Sequence, residues 1–77
     1  MWVVITRNNC KFCEEAKTFL KGKGLYHTTY NIEDKSSKWV LTLLKKGNLL
    51  TVPQIFDTEG NHIGGYEKLV EWFQHDS

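Results

Sequence analysis

Residues 2–13 read WVVITRNNCKFC: a short apolar run, a polar loop, and two cysteines with two residues between them. Trp2–Thr6 is continuous and rich in β-branched residues, which predicts a strand buried on both faces. From Phe12 the apolar residues recur at three- and four-residue spacing, which predicts a helix that stops near Gly22 or Gly24. The cysteine pair is therefore expected at a junction between a loop and a helix.

The segment after this helix continues the alternation of strands and helices. Alternating apolar residues over 26–32 predict a second strand, and strand, helix and strand together predict a βαβ unit with parallel strands. A second helix is expected from a cap at Ser36 or Ser37 through Lys46, with Gly47 as its end. Its buried stripe is predicted to be Val40, Leu43 and Leu44.

The last third of the chain predicts two strands and one helix. A third strand is expected at Val52–Asp57, a turn at 58–61 and a brief fourth strand at His62–Gly64. The apolar face of the last helix is expected to be Tyr66, Leu69, Val70 and Phe73. The predicted fold class is α/β: one domain over residues 1–77, with a four-stranded mixed sheet and three helices in the order β-α-β-α-β-β-α.

Composition narrows the function classes. The chain has 77 residues, of which 40% are hydrophobic, so it can form one packed domain. A net charge of +1 argues against a nucleic-acid partner, for which a large basic excess is expected. No apolar run approaches the ~20 residues of a membrane span, and the first residues do not read as a signal peptide. We expect a cytoplasmic monomer.

The cysteine pair Cys10 and Cys13 is open to several interpretations. As a structural disulfide it closes a very small ring, which stabilises little. A zinc site needs about four ligands, and the only histidines, His27, His62 and His75, are not at finger spacing. Two ordinary buried cysteines are a further alternative. A redox pair beside a βαβ unit is the leading interpretation.

The expected position of Cys10 gives it a specific role in redox chemistry. Free N–H groups at the start of a helix favour a thiolate, and Arg7 and Lys11 add positive charge nearby. Such settings lower a cysteine pKa from about 8.5 to roughly 3.5–7.5. Cys13, one turn on, is expected to point inward and to resolve the mixed disulfide that Cys10 forms. Side chains three apart on a helix have Cβ atoms roughly 5–6 Å apart, so a small adjustment can close the pair.

Three motifs resemble those of the glutaredoxin family, within the thioredoxin-fold superfamily. Cys10-Lys11-Phe12-Cys13 corresponds to its Cys-Pro-Tyr-Cys site, and residues 51–56, TVPQIF, look like its Thr-Val-Pro segment. Ile63-Gly64-Gly65 resembles its Gly-Gly turn before the last helix. The match covers essentially the whole chain and implies a thioredoxin-like fold. A viral glutaredoxin would fit so short a chain.

The resemblance implies glutathione as the reducing co-substrate, with no bound cofactor and no metal. By position, Arg7 would pair with a glutathione carboxylate, and the Val52 backbone would hydrogen-bond the cysteinyl part. The turn after Gly65 would hold the γ-glutamyl end through Tyr66 and Glu67. The family also implies that Pro53 follows a cis peptide bond.

The chain departs from the family pattern at several positions, among them Glu67 and Lys68, which stand where the family commonly has an acid or Ser and Asp after Gly-Gly-X. Lys11 replaces the family's proline and places a charge beside the nucleophile. Phe12 lacks the hydroxyl of the usual tyrosine, and it either covers the disulfide or anchors the helix to the core. Leu50 stands where the family often has Arg or Thr.

The function that these features favour is a small dithiol oxidoreductase. It would use glutathione to reduce protein disulfides and glutathione mixed disulfides through Cys10 and Cys13. An alternative is an electron donor to ribonucleotide reductase that thioredoxin reductase recycles. Two other classes are an iron–sulfur or zinc carrier, including a dimer bridged through Cys10, and a binding module with unreactive thiols.

Overall fold

Three helices and four strands make up the fold. The structure is a computed structural model that describes residues 1–49 and 51–75, the side chain of His75 excepted. The strands are β1 Trp2–Thr6, β2 His27–Asn31, β3 Gln54–Phe56 and β4 His62–Gly64. The helices are α1 Lys11–Gly22, α2 Lys38–Lys46, which follows a 3₁₀ turn at Lys35–Ser37, and α3 Tyr66–His75. The predicted element order is confirmed.

The sheet is mixed and has the strand order β2-β1-β3-β4. Strand β1 pairs in parallel with β2, as expected for a βαβ unit. It pairs antiparallel with β3, and β3 pairs antiparallel with β4 across the short turn. The predicted four-stranded mixed sheet is thus confirmed, and the loop between β1 and α1 emerges beside the segment that leads into β3.

The core lies on both faces of β1, as its continuous apolar sequence predicts. Val4 is fully buried, and its register partner on β3, Ile55, is also fully buried. One apolar cluster consists of Trp2, Val4, Ala16, Leu20, Ile55 and Leu69, and the other of Ile5, Val40 and Leu44. Burial of these side chains anchors α1 and α3 on one face of the sheet and α2 on the other. Among the described residues, no helix has the length and apolar character that a membrane span needs.

Helix α2 differs from its prediction in two respects. Leu43 is 56% exposed and does not belong to the buried stripe, whereas Val40 and Leu44 do. The apolar stripe is therefore narrower than the spacing suggested. Ser37 does occupy the N-cap position, but its side chain makes no capping hydrogen bond. The 3₁₀ turn Lys35–Ser37 ends on the cap residue and leads directly into the helix.

The predicted bounds of two strands were too wide. Strand β2 begins at His27, the register partner of Trp2 at the start of β1, and Tyr26 before it is 84% exposed. Strand β3 begins at Gln54 rather than Val52, since Pro53 has no N–H to donate to the sheet. Residues 51–53 are left as a bent segment outside the ladder. This segment lies outside the sheet and can border a site.

Candidate active site

The two cysteines lie at the start of α1. Cys10 is the N-cap residue with an extended backbone, and Cys13 lies in the first turn. They form a disulfide with a Cα–Cα distance of 5.2 Å, so the pair closes within the helix start as predicted. Cys13 is 1% exposed, whereas Cys10 is half-buried. Access from solvent therefore differs between the two sulfurs.

The loop before Cys10 is tied to the end of β2. Asn9 has a positive φ of 54°, a conformation that Asn tolerates better than most residues. The Asn31 amide donates to the Asn8 side-chain oxygen at 2.8 Å, and the Asn8 N–H donates to the carboxylate of Glu33. These contacts fix the direction in which the chain enters the helix and presents Cys10. Arg7, in the same loop, is exposed.

A cleft of about 270 Å³ opens beside the helix start. Its lining residues are Phe12, Thr51, Val52, Pro53, Gly65, Tyr66, Glu67 and Lys68. The segment 51–53 forms one wall, and the start of α3 forms another. The Val52–Pro53 peptide bond is cis, as predicted. The cleft therefore joins the cysteine helix to a segment outside the sheet and to the start of α3.

The turn into α3 requires glycine at position 64. Gly64 has a φ of +126°, and a Cβ there would lie 2.9 Å from the Cβ and Cγ of Lys68. The carbonyl of Gly65 accepts the first helical hydrogen bond, from the N–H of Leu69 at 3.0 Å. The N–H groups of Tyr66, Glu67 and Lys68 thus have no acceptor within the helix. Such a helix start is suited to binding an anion.

Phe12 lies at the rim of the cleft rather than in the core. It is 55% exposed, and its ring lies 6.3 Å from that of Tyr66, which in turn meets the edge of Phe19. The interpretation of Phe12 as a core anchor for the helix is therefore wrong. Its apolar surface borders both the helix start and the cleft.

The structure brings most of the predicted site residues together. Phe12, Val52, Pro53, Gly65, Tyr66 and Glu67 share the cleft. Lys11 and Tyr66 line an adjoining groove, and Arg7 lies outside the lining of both. The prediction at Leu50 falls outside the described residues.

Sequence reasoning missed Thr51 and Lys68 as cleft residues. Thr51 begins the Thr-Val-Pro segment, and its place two residues before Pro53 is the signal that could have found it. Lys68 lies in the first turn of α3, so its N–H group belongs to the unpaired helix start.

Comparison with known proteins identifies the family. A family model described as Glutaredoxin matches residues 2–63. The chain belongs to the glutaredoxin family. The glutaredoxin of Enterobacteria phage T4 is 33% identical over 76 residues, with 87% of each chain covered. Glutaredoxin 3 of Escherichia coli (strain K12) is 33% identical over 66 residues, which cover 86% of this chain and 77% of that one.

A solved glutaredoxin shares the fold described above. A crystal structure of a buckwheat glutaredoxin–glutathione complex superimposes with a TM-score of 0.82 and 25% identity, over 97% of this chain and 69% of that one. Together with the close cysteine pair, family membership makes this glutaredoxin a thiol-disulfide oxidoreductase. Within residues 1–49 and 51–75, no three His, Cys, Asp or Glu side chains are grouped so that they could hold a metal ion.

Proposed function

We propose that the chain uses glutathione to reduce protein disulfides and glutathione mixed disulfides. The observation that carries the proposal is the cleft that runs from Phe12, beside the cysteines, to the free N–H groups at the start of α3. Glutathione needs such an arrangement, because its thiol must reach a cysteine while its peptide portion is held. The buckwheat relative supports the proposal, since its structure is a complex with glutathione.

The chemical groups around the cleft fit the parts of the tripeptide. The unpaired N–H groups of Tyr66 and Glu67 suit the γ-glutamyl carboxylate, and the Glu67 side chain suits the neighbouring ammonium group. The backbone of Val52, outside the ladder, is placed to pair with the cysteinyl part, as an added strand would. Arg7 and Lys11 supply positive charge for the second carboxylate.

The proposed reaction is a pair of thiol–disulfide exchanges. The Cys10 thiolate attacks the glutathione sulfur of a mixed disulfide, so the protein substrate leaves as a thiolate and Cys10 becomes glutathionylated. A second glutathione thiolate attacks that sulfur, which releases oxidised glutathione and restores Cys10. For a protein disulfide, Cys10 attacks first and Cys13 displaces the reduced substrate, so the pair closes. Two glutathione molecules then reopen it.

Disulfide-containing proteins are the proposed substrates, with ribonucleotide reductase among them. The proposed working form is a monomer in the cytoplasm.

A coupled assay tests the reductant. The oxidised protein is incubated with glutathione, glutathione reductase and NADPH in one arm, and with thioredoxin reductase and NADPH in the other. Turnover in the first arm only is the expected result. Turnover with thioredoxin reductase alone would replace the proposal with the alternative electron donor.

Two cysteine variants test the proposed steps. Cys13→Ser should still deglutathionylate a small peptide, because glutathione can resolve the Cys10 adduct, but should lose most reduction of protein disulfides. Cys10→Ser should lose both reactions. A Cys13→Ser variant that is inactive on the glutathionylated peptide would contradict the glutathione pathway.

A further inference from the structure

A buried glutamine directly follows the wall of the cleft. Gln54 is 5% exposed, and its side-chain nitrogen lies 2.8 Å from the Thr51 carbonyl oxygen and 3.3 Å from the Thr51 hydroxyl. These bonds span the bent segment 51–53, which has no ladder partner of its own. The Gln54 amide therefore links the two ends of segment 51–53, which forms one wall of the cleft.

A histidine on the edge strand reaches the other end of the same amide. His62 Nε2 lies 2.6 Å from Gln54 Oε1, and the His62 ring packs against Phe56 with centroids 5.1 Å apart. The register explains the contact: His62 is opposite Phe56, so Gln54 is its diagonal neighbour across the pair of strands. His62, Gln54 and Thr51 thus form a continuous hydrogen-bonded chain from the edge of the sheet to the cleft.

The acceptors in this chain fix its proton positions. The Thr51 carbonyl can only accept, so the Gln54 atom facing it must be the amide nitrogen. The amide oxygen then faces His62, which must carry a proton on Nε2. An amide turned the other way would bring its oxygen against the Thr51 carbonyl and leave a buried donor without this partner. With its proton on Nε2, His62 donates to the Gln54 oxygen and stabilises the amide orientation that holds Thr51.

We propose that Gln54 is a positioning residue that holds segment 51–53 at the cleft wall, and that His62 locks the Gln54 amide in the orientation this requires. The inference rests on the proposed function, because it assigns the cleft to the glutathione portion of the substrate. Neither side chain touches the reacting sulfurs; they act through the Thr51 backbone. Loss of either should therefore weaken binding of the substrate and leave the exchange chemistry at Cys10 intact.

Matched variants separate this role from a general loss of structure. Gln54→Met keeps the volume and removes every hydrogen bond, and His62→Phe keeps the ring against Phe56 and removes the donor. His62→Gln restores a nitrogen donor at about the position of Nε2. His27→Phe changes a histidine of β2 outside the network and is the control. If Gln54→Met fails to fold, the comparison of His62→Phe with His62→Gln on the edge strand β4 still tests the inference.

The first readout is the kinetics of a glutathionylated peptide with glutathione or dithiothreitol as reductant. Gln54→Met and His62→Phe should raise KM about five- to ten-fold with kcat little changed, the effect of one lost buried hydrogen bond. His62→Gln and His27→Phe should stay near the wild type. Unchanged KM in both network variants, or no rescue by His62→Gln, would overturn the inference.

The second readout is the nitrogen NMR spectrum of His62, which does not depend on glutathione. The wild type should show a protonated Nε2, and Gln54→Met should lose that preference. A neutral His62 with its proton on Nδ1 in the wild type would overturn the inference. If glutathione does not recycle the wild type but dithiothreitol does, the proposed function fails, while the nitrogen spectrum of His62 still tests the network.

Discussion

The sulfur of Cys10 accepts a hydrogen bond from the backbone N–H of Cys13 at 3.2 Å. Cys10 thus acts as the N-cap of α1, a position usually held by Ser, Thr, Asp or Asn. A thiolate is a better acceptor than a thiol for such an N–H, and the positive end of the helix dipole favours it further. The same geometry that begins the helix therefore supports the proposal that Cys10 is the nucleophile.

The two thiols should differ strongly in reactivity. In the reduced protein, a limiting alkylating reagent at about pH 6, well below the ordinary thiol pKa of about 8.5, should label Cys10 predominantly. Cys13 should remain largely unlabelled, because it is only 1% exposed and lies inside the first turn rather than at the N-cap. Peptide mass spectrometry measures the ratio, with the unfolded protein as control. Equal labelling of both cysteines in the folded protein would contradict the assignment.

The cysteine site was predictable because its chemistry is local. The change from a β-branched run to helical spacing places Cys10 at a helix start, and the structure agrees. Leu43 shows the limit of the same reasoning. Its spacing fits the buried stripe of α2, but burial depends on how closely the helix approaches the sheet, which the spacing does not specify. Leu43 consequently lies 56% exposed.

The rest of the cleft depended on contacts between distant segments. The position of Val52 outside the strand followed from the neighbouring proline, which cannot pair in a strand. The contact of Gln54 with His62 could not be predicted, because it requires the exact register of β3 and β4. The register shifts between Ile55 and Phe56, and the sequence pattern does not encode this shift.

Glycine at position 64 should be required for stability. Gly64→Ala places a Cβ 2.9 Å from the Lys68 side chain at a φ of +126°, so we expect a loss of about 1–3 kcal/mol in the free energy of unfolding. Gly22→Ala is the matched control, since its Cβ meets nothing within 4 Å and α1 gains a better helix former. Urea unfolding of both variants is the measurement. If Gly64→Ala were as stable as the wild type, the turn into α3 would tolerate a side chain.

The turn between β3 and β4 should make stability depend on acid pH. Partial desolvation raises the pKa of Asp57, but hydrogen bonds from the N–H and amide of Asn61 and from the N–H groups of Glu59 and Gly60 lower it below its ordinary value of 3.8. A carboxylate with a depressed pKa stabilises the fold above the unfolded value, and this contribution disappears as pH falls through the folded value.

Asp57→Asn isolates that contribution. The variant should be less stable than the wild type at neutral pH, and the difference should shrink as pH falls below 3.8. Glu59→Gln, which removes one negative charge from the same turn, is the control and should not reproduce this pattern. Thermal unfolding across the acid range measures both. A pH-independent difference would mean that shape rather than charge at Asp57 stabilises the turn.

Arg7 should strengthen the binding of glutathione without affecting the chemistry of the cysteines. It is exposed in the loop that leads to Cys10, so an ion pair with a glutathione carboxylate remains accessible to water. Such exposed pairs are worth about 0.5–1 kcal/mol, and Arg7→Ala should therefore raise the KM for glutathione about two- to five-fold. The rate with dithiothreitol, which carries no carboxylate, should be unchanged.

Lys21→Ala removes an exposed charge near the far end of α1 and serves as control. Because salt screens exposed pairs, the difference between the two variants should narrow at high ionic strength. An equal rise in both variants would assign the effect to net charge rather than to a contact at Arg7.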